Sequence, residues 1–192
     1  MALDAGKIII PGRGNVLVGA PDADPIDPGQ FLIGVPATYG TLTTLGHTSR
    51  ENTVALEKDG GDVTQLGTWE VEAADTATEA TSWTLGVNAL QADQNTFEMV
   101  FPGGEWDPVT ESYDVGDIGS VEKSVQVIMV QGLKRLSFYC PRVSLSVGDA
   151  PTIDVENFFE FNLLGQILSS NVTGRRFRWY GTRTYTAPAV TP

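Results

Sequence analysis

Carboxylates are the most abundant ionisable side chains in this sequence. There are 24 Asp and Glu residues, against 12 Lys and Arg and a single histidine. Two carboxylates can carry the acid and base steps of glycoside hydrolysis, but here the acids are spread along the chain and no pair stands out. Asp22, Asp24 and Asp27, and the acids between residues 107 and 117, lack the ligand spacing of an EF-hand calcium loop. We therefore expect no catalytic site and no metal site.

Groups for covalent catalysis are scarce as well. His47 is the sole histidine and Cys140 the sole cysteine, so neither a histidine cluster nor an internal disulfide can form. The surroundings of Cys140, LSFYCPRVSLSV, predict a buried small hydrophobe rather than a reactive thiol. Sequence motifs of nucleotide-binding loops, zinc proteases and serine hydrolases are missing. The chain is expected to be no enzyme and to need no cofactor.

Four tryptophans offer a different chemistry, the stacking of sugar rings. Side chains of this type are more often core residues or interface anchors than a glycan platform. A carbohydrate-binding β-sandwich module nevertheless stays open as an alternative, carried by Trp69, Trp83, Trp106 and Trp179.

Charge is distributed unevenly. Residues 51–122 hold one basic side chain, Lys58, and 16 acidic ones, whereas residues 123–192 hold eight basic and four acidic ones. The net charge of −12 argues against tight binding of nucleic acid. An acidic and a basic block in one chain suit head-to-tail self-association, although both could simply be solvated faces. No apolar stretch approaches the roughly 20 residues of a membrane helix.

The elements that must position these residues are mostly strands. Abundant glycine, frequent proline and short apolar runs predict one domain over residues 1–192, mainly β, an antiparallel sandwich or barrel with one short α-helix and a long inter-strand arm. Residues 1–30 are predicted to be an irregular N-terminal segment with at most a short strand at 16–18. Residues 31–45 are predicted to form a bent strand.

The long inter-strand arm spans residues 46–82 and is polar and acidic. Residues 53–56 and 67–71 are predicted to pair with each other, and the glycine-rich stretch 58–62 supplies a turn between them. The arm is too long for a hairpin turn, and its composition is too mixed for a flexible linker.

Regular elements follow the arm. Residues 82–91 alternate apolar and polar side chains as a half-buried strand does. Residues 92–101 change to a helical period, with Asp93 as the N-cap, and residues 103–119 are predicted to be an acidic loop.

Later strands are predicted from longer apolar runs. SVQVIMVQG and RLSFYCPRVSLSV should form a hairpin around residues 132–134, with the pairing broken at Pro141. VENFFEFNLLGQIL, residues 155–168, should be a strand with Glu156, Glu160, Asn162 and Gln166 on its polar face. A last strand is expected at 175–181, inside a C-terminal extension of residues 169–192.

The order of these elements resembles one family. The quoted stretches LGHTSRENTVALEKDGGDVTQLGTWE, TSWTLGVNALQADQ and SFYCPRVSL are similar to the major tail protein, or tail tube protein, of long non-contractile-tailed bacteriophages, notably those of actinobacterial hosts. The resemblance covers roughly residues 35–165 and leaves both ends of the chain without a counterpart.

The resemblance implies a structural virion protein. Six subunits would form a ring, their inner strands would close a barrel around a lumen, and the stacked rings would form the tail tube. The implied partners are further copies of the chain, the tape-measure protein, the tail terminator and the distal tail protein. Genomic DNA would pass through the lumen without specific binding, and assembly would take place in the host bacterial cytoplasm with no membrane. A tail terminator or a head-decoration protein is the closest alternative.

Three sets of residues are predicted to serve this assembly. The inter-ring arm would use Leu56, Glu57, Asp59, Asp62, Leu66 and Trp69. The lumen would be lined by Glu122, Glu156 and Glu160, because an acidic wall repels phosphate. The basic surface that receives the acidic arm would contain Arg135, Arg142, Arg175, Arg176 and Arg178, with Lys134 and Arg183 beside them.

Overall fold

The computed structural model describes residues 3–34, 38–51 and 54–187. It is 44% strand and 7% helix, and the strand pairs in these residues are all antiparallel, so the predicted β-rich sandwich with one short α-helix is confirmed. The strands are β1 (Arg13–Gly19), β2 (Thr38–Tyr39), β3 (Leu42–Thr44), β4 (Ala55–Asp59), β5 (Val63–Leu66), β6 (Asp75–Thr78), β7 (Ser82–Ala89), β8 (Glu105–Asp107), β9 (Ser112–Asp114), β10 (Val121–Gln131), β11 (Lys134–Val147), β12 (Phe161–Leu168) and β13 (Arg178–Thr184), with helix α1 (Gln94–Val100) and two 3-10 turns, Ala5–Lys7 and Pro28–Gln30.

The hairpin of β10 and β11 is the spine of the fold. A two-residue turn that starts at Gly132 joins the strands. Gly132 has φ +56°, a conformation in which a residue with a side chain is strained, so glycine suits this position. β11 pairs with β10 from Lys134 to Leu145, with one register shift, and has two partners on its other edge. Residues 134–139 pair with β13, and residues 142–147 pair with β12.

Pro141 lies where β11 changes partners, so the predicted break in pairing there is wrong in its extent. The strand continues to Val147, and the irregularity is a register shift opposite Ser124. A proline has no N–H to donate, and at this position neither β12 nor β13 requires one. Its carbonyl accepts a 2.8 Å hydrogen bond from the Asp22 N–H.

Two wings extend from the spine. In the first wing, β1 pairs with β10, and β3 and β2 follow it. The N-terminal segment predicted to be irregular therefore holds a seven-residue strand. The bent strand predicted over 31–45 is reduced to β2 and β3, since residues 31–34 are not strand and Gly40 turns the chain at φ +62°; residues 35–37 lie outside the described residues.

In the second wing, β12 pairs with β7, and β7 pairs with β4. The predicted strand at 82–91 is confirmed: its apolar face points into the core while Thr84, Gly86 and Asn88 face away. β12 begins only at Phe161, so the strand predicted over 155–168 is wrong for its first six residues. Asp154 accepts hydrogen bonds from the Glu156 N–H and the Asn157 amide, and this turn keeps the preceding segment out of the sheet.

The two wings fold over each other and bury one core. Val16 and Val18 of the first wing meet Leu85, Val87 and Leu163 of the second wing. Burial of these side chains, each worth about 1.5–3 kcal/mol, drives the closure. The helix closes the core with Val100 and Met99, and the Asp93 carboxylate caps it by accepting a 2.9 Å hydrogen bond from the Thr96 N–H, as predicted.

A second, smaller core covers the other face of the first wing. Phe31, at the end of the Pro28–Gln30 turn, packs with Leu17, Leu42 and Ile128. Gln126, fully buried in β10, fixes this segment: its amide oxygen accepts from the Ile26 N–H, and its NH₂ donates to the Ile26 carbonyl, both at 2.9 Å. β1 is therefore buried on both faces.

Two short hairpins stand apart from this sheet. β8 pairs with β9, so the segment 103–119, predicted to be a loop, contains a hairpin whose Trp106 and Tyr113 rings stack on Phe97. β5 pairs with β6. The predicted pairing of 53–56 with 67–71 is wrong, because β4 joins β7 in the main sheet; Thr53 lies outside the described residues.

Candidate assembly surfaces

Residues 62–80, called the arm below, form the most exposed part of the described chain. β5 and β6 pair only with each other, and every residue from 62 to 80 is exposed. Backbone hydrogen bonds inside the arm hold it together. The Glu79 N–H donates to the Asp62 backbone carbonyl, and the Thr68 N–H donates to the Val71 carbonyl across the tip. An isolated two-stranded hairpin is marginally stable in water, so this geometry is typical of a segment that a partner covers.

The arm exposes both large apolar and acidic side chains. Trp69 at the tip is 100% exposed, and the arm also presents Val63, Leu66 and Val71 to solvent. Residues 62–80 carry five carboxylates and no basic residue. Exposed large apolar groups in one small element mark an interaction surface, and here that surface is anionic.

The predicted arm residues separate into two groups. Asp62, Leu66 and Trp69 lie in the arm, whereas Leu56, Glu57 and Asp59 lie in β4, at the edge of the second wing. Leu56 packs against the main core of its own subunit, so its predicted role as an anchor for a neighbour lacks an exposed side chain.

The arm departs from the sheet at two glycines. Gly60 and Gly61 have φ of +72° and +82°, and a Cβ on Gly60 would lie 2.4 Å from the Ala80 carbonyl oxygen. The two ends of the arm therefore touch at its root, and only glycine fits there.

A polar row crosses the outer face of the second wing and the end of the spine. Strand register places five side chains next to one another: Glu57, Thr84, Gln166, Ser144 and Glu122. Side chains in register on neighbouring strands share a face of the sheet. The core residues Leu56, Leu85 and Leu145 occupy the opposite face. The result is a sheet surface with a carboxylate at each end and small polar groups between them.

The predicted lumen residues occupy two places. Glu122 ends the polar row, and its carboxylate pairs with the Arg142 guanidinium at 2.8 Å. Glu156 and Glu160 lie in the segment before β12, not on a strand face. The Glu160 carboxylate accepts a 2.5 Å hydrogen bond from the Ser49 hydroxyl.

The predicted basic surface is likewise divided. Arg135 is only 4% exposed, because it donates to the carbonyls of Phe31 and Gly132 and lies over the Tyr185 ring. Its predicted place on the basic surface is therefore wrong. Arg142 is held by Glu122, and Arg176 donates to the Thr81 carbonyl at the arm root. Arg175 and Arg178 are exposed.

Residues 1–191 match the family model described as phage tail tube protein. The chain belongs to the phage tail tube protein family. A search of curated proteins gave no match. The match extends beyond residues 35–165 to both ends of the chain, so β1 and β13 lie within the matched region.

A tail tube protein is a structural component of the phage tail that self-assembles into a tube. No group of three or more His, Cys, Asp or Glu that could hold a metal exists in residues 3–34, 38–51 and 54–187. None of the helices in the same residues is long and apolar enough to cross a bilayer.

Three tryptophans outside the arm have separate intramolecular partners. Trp83 packs on Phe177, Trp106 on Phe97 and Trp179 on Phe138. Cys140 is fully buried, as predicted, and burial raises the pKa of its thiol to about 12. His47 is exposed just before the chain returns to the sheet, and its carbonyl accepts from the Leu90 N–H.

Sequence reasoning missed the polar row and a groove beside Arg175. Alternation along β7 and β12 predicts polar faces for these strands, but nothing in the chain order places Glu57 in line with Glu122. The groove joins residues from positions 22–25, 139–141 and 170–178, which only the folded sheet brings together.

Proposed function

We propose that this chain forms hexameric rings that stack into the tail tube of a long non-contractile phage tail. The arm carries the proposal: it is a 19-residue acidic hairpin with a fully exposed tryptophan, and no part of the described chain covers it. A contact between unlike surfaces that repeats without closing produces a filament, so an arm that reaches an adjacent ring links ring to ring.

The polar row is our candidate for the lumen wall. Its face holds Glu57, Glu122 and small polar side chains, and the adjacent edge strand β4 leaves backbone groups for a neighbouring subunit to pair with. A wall of carboxylates repels DNA phosphate, so DNA can slide without lasting contacts. Glu156 and Glu160 would lie at the rim, because their segment leads into β12 of the same wing.

The remaining partners follow from a tube with two ends and a filled interior. The tape-measure protein would occupy the lumen during assembly, and the tail terminator and distal tail protein would meet the terminal rings. The mature protein would reside in the virion after assembly in the host bacterial cytoplasm. It would have no catalytic activity and need no cofactor.

Electron microscopy of the purified chain at rising concentration tests the proposal. We expect long hollow tubes with a regular axial repeat and sixfold end views. Isolated rings that never stack would favour a tail terminator instead. A monomer at every concentration, including after addition of preformed tail tips, would contradict the tube proposal.

Removal of the arm tests its role. Deletion of residues 62–79 leaves Gly60, Gly61, Ala80 and Thr81 as a four-residue loop between paired Asp59 and Ser82, a length common in β-hairpins. We expect a folded subunit with nearly unchanged unfolding free energy that forms no tubes. A deletion that begins at residue 55 would instead remove β4 and expose the edge of β7.

Mixtures of the deletion variant with the wild-type chain provide a second test of the arm. A subunit that lacks the arm should still receive the arm of a wild-type copy, so small amounts should shorten wild-type tubes. Tubes of normal length built from the deletion variant alone would refute the connector role.

A further inference from the structure

A groove opens between the spine and the segment that follows β12. Its floor is largely apolar and includes Pro25, Tyr139, Pro141 and Phe177, and Arg175 and Arg178 stand at its rim. The complete lining, called the Arg175 groove, is formed by Asp22, Ala23, Asp24, Pro25, Tyr139, Pro141, Ser170, Val172, Thr173, Arg175, Phe177 and Arg178.

The charges of the groove are only partly compensated within the subunit. The Asp22 carboxylate accepts a hydrogen bond from the Asn171 N–H at 3.2 Å. In the described part of the chain, the Arg175 and Arg178 side chains have no hydrogen bond or ion pair with an acid, and residues 161–187 contain four arginines and no carboxylate. Arg175 and Arg178 therefore make one part of the rim cationic above an apolar floor, while Asp22 and Asp24 from another segment also line the groove.

The arm tip is the chemical complement of this groove. Trp69 offers a large apolar ring, and Glu70 and Glu72 follow it with two carboxylates. Arginine guanidinium groups pair with carboxylates and stack on tryptophan rings, while proline, valine and phenylalanine side chains cover the remaining ring surface.

The subunit does not use its own tip for this contact. Its groove wall is tied to its own arm root, because Arg176 donates to the Thr81 carbonyl and Phe177 packs on Trp83 at 5.1 Å between ring centroids. The arm leaves that root as a hairpin of about seven residues per side, roughly 23 Å at 3.3 Å per residue, and its Trp69 stays fully exposed.

We propose that the Arg175 groove receives the Trp69 tip of a second copy of this chain. The proposal rests on the proposed tube function and adds the site at which one subunit accepts the arm of another. Each copy gives one arm and receives one, so the contact is between unlike surfaces and propagates from ring to ring.

Disulfide trapping tests the contact directly. Thr68→Cys beside the tip and Thr173→Cys in the groove retain every charge, and the native Cys140 is fully buried. We expect oxidation of the double variant to give covalent dimers and longer multimers on a non-reducing gel. The matched control, Thr110→Cys with Thr173→Cys, places the first thiol on the exposed β8–β9 hairpin and should remain monomeric.

The result can be read independently of tube formation. Multimers in the Thr68 and Thr173 variant support the contact whether electron micrographs show tubes or smaller oligomers. Absence of multimers, or an equal yield from the Thr110 control, overturns the contact even where tubes form. Micrographs of the same samples judge the tube function separately.

Charge exchange provides the second measurement. Glu70→Lys with Glu72→Lys, and separately Arg175→Glu with Arg178→Glu, should each raise the concentration needed for assembly by about tenfold or more, the effect of about 1.4 kcal/mol. The variant with all four changes should recover assembly, because opposite charges again face each other. Failure to recover, with Glu105→Lys as an assembly-competent control, would overturn the pairing.

Discussion

Two antiparallel hairpins of this chain have the same local architecture and opposite surroundings. In the β10–β11 hairpin, Ile128, Cys140 and Val143 are fully buried, and other elements cover both faces of the hairpin. In the β5–β6 hairpin every residue is exposed on both faces. Both hairpins have antiparallel backbone pairing, but only the spine adds further strands at its edges and buries its side chains, and these two differences separate a spine from an arm.

The two hairpins also differ in whether their polar side chains are buried or exposed. Gln126 and Arg135 are buried in the spine with partners from other segments, so their hydrogen bonds hold the N-terminal segment in place. The carboxylates of the arm face water, so they need no partner within the folded subunit and remain available to a cationic partner. The subunit separates residues that stabilise it from residues that assemble it.

The largest expected effect contrasts two aromatic residues. Phe138→Ala in the spine removes a ring that is 4% exposed and packs on Trp179, so we expect it to lower the unfolding free energy by about 3–5 kcal/mol. Trp69→Ala in the arm should change it by less than about 0.5 kcal/mol, since the ring touches nothing that folding buries. Urea unfolding followed by circular dichroism measures both.

Assembly should respond in the opposite way. Trp69→Ala should prevent tube formation at concentrations where the wild-type chain forms tubes. A large loss of subunit stability in Trp69→Ala would show that the arm packs on its own subunit in solution and would break the comparison.

A second contrast uses two glutamines. Gln126→Ala leaves the Ile26 N–H and carbonyl without their partner, and we expect a loss of about 1–3 kcal/mol in unfolding free energy. Gln65→Ala in β5 is the matched control on an exposed strand and should be nearly neutral. Proteolysis adds a structural readout, because residues 20–30 should become cleavable in Gln126→Ala only. Equal losses in the two variants would mean that the amide does not hold this segment.

Much of the fold was predictable where one periodicity dominates. The β10–β11 hairpin, β7 and the helix capped by Asp93 follow from alternation, helical spacing and a capping residue. β1 was underestimated because a strand buried on both faces shows a short apolar run, not an alternation. The segment before β12 was misjudged because Val155 and Phe158 have strand-like types but are exposed, and the Asp154 turn overrides their propensity.

The candidate surfaces were less predictable than the elements. The acidic arm was recognisable from composition, but its boundary was not, since β4 belongs to the sheet by pairing with β7. The polar row depends on the register of five strands, and one shifted residue would turn each side chain to the other face. The burial of Arg135 depends on Phe31 and Tyr185, which are distant in sequence, so charge counting placed it on the surface.

The smallest expected effect concerns ionisation in the spine. Burial raises the pKa of the Cys140 thiol from 9.0 to about 12, so between these values the unfolded chain releases a proton that the folded chain keeps. The unfolding free energy should therefore be insensitive to this group below pH 9 and fall above it, with a slope approaching about 1.4 kcal/mol per pH unit. Between pH 8 and pH 10 we expect the wild-type chain to lose about 1.4 kcal/mol more than Cys140→Ala, because only the wild-type chain carries the thiol. Moving the thiol to the arm, with Gln65→Cys in the Cys140→Ala chain, should abolish that extra loss, since an exposed thiol ionises equally in both states.

The arm thiol should also react with a thiol reagent in the folded protein, while Cys140 reacts only after unfolding. Rapid labelling of Cys140 in the folded wild-type chain would show that the spine opens as readily as the arm, and the distinction between the two hairpins would fail.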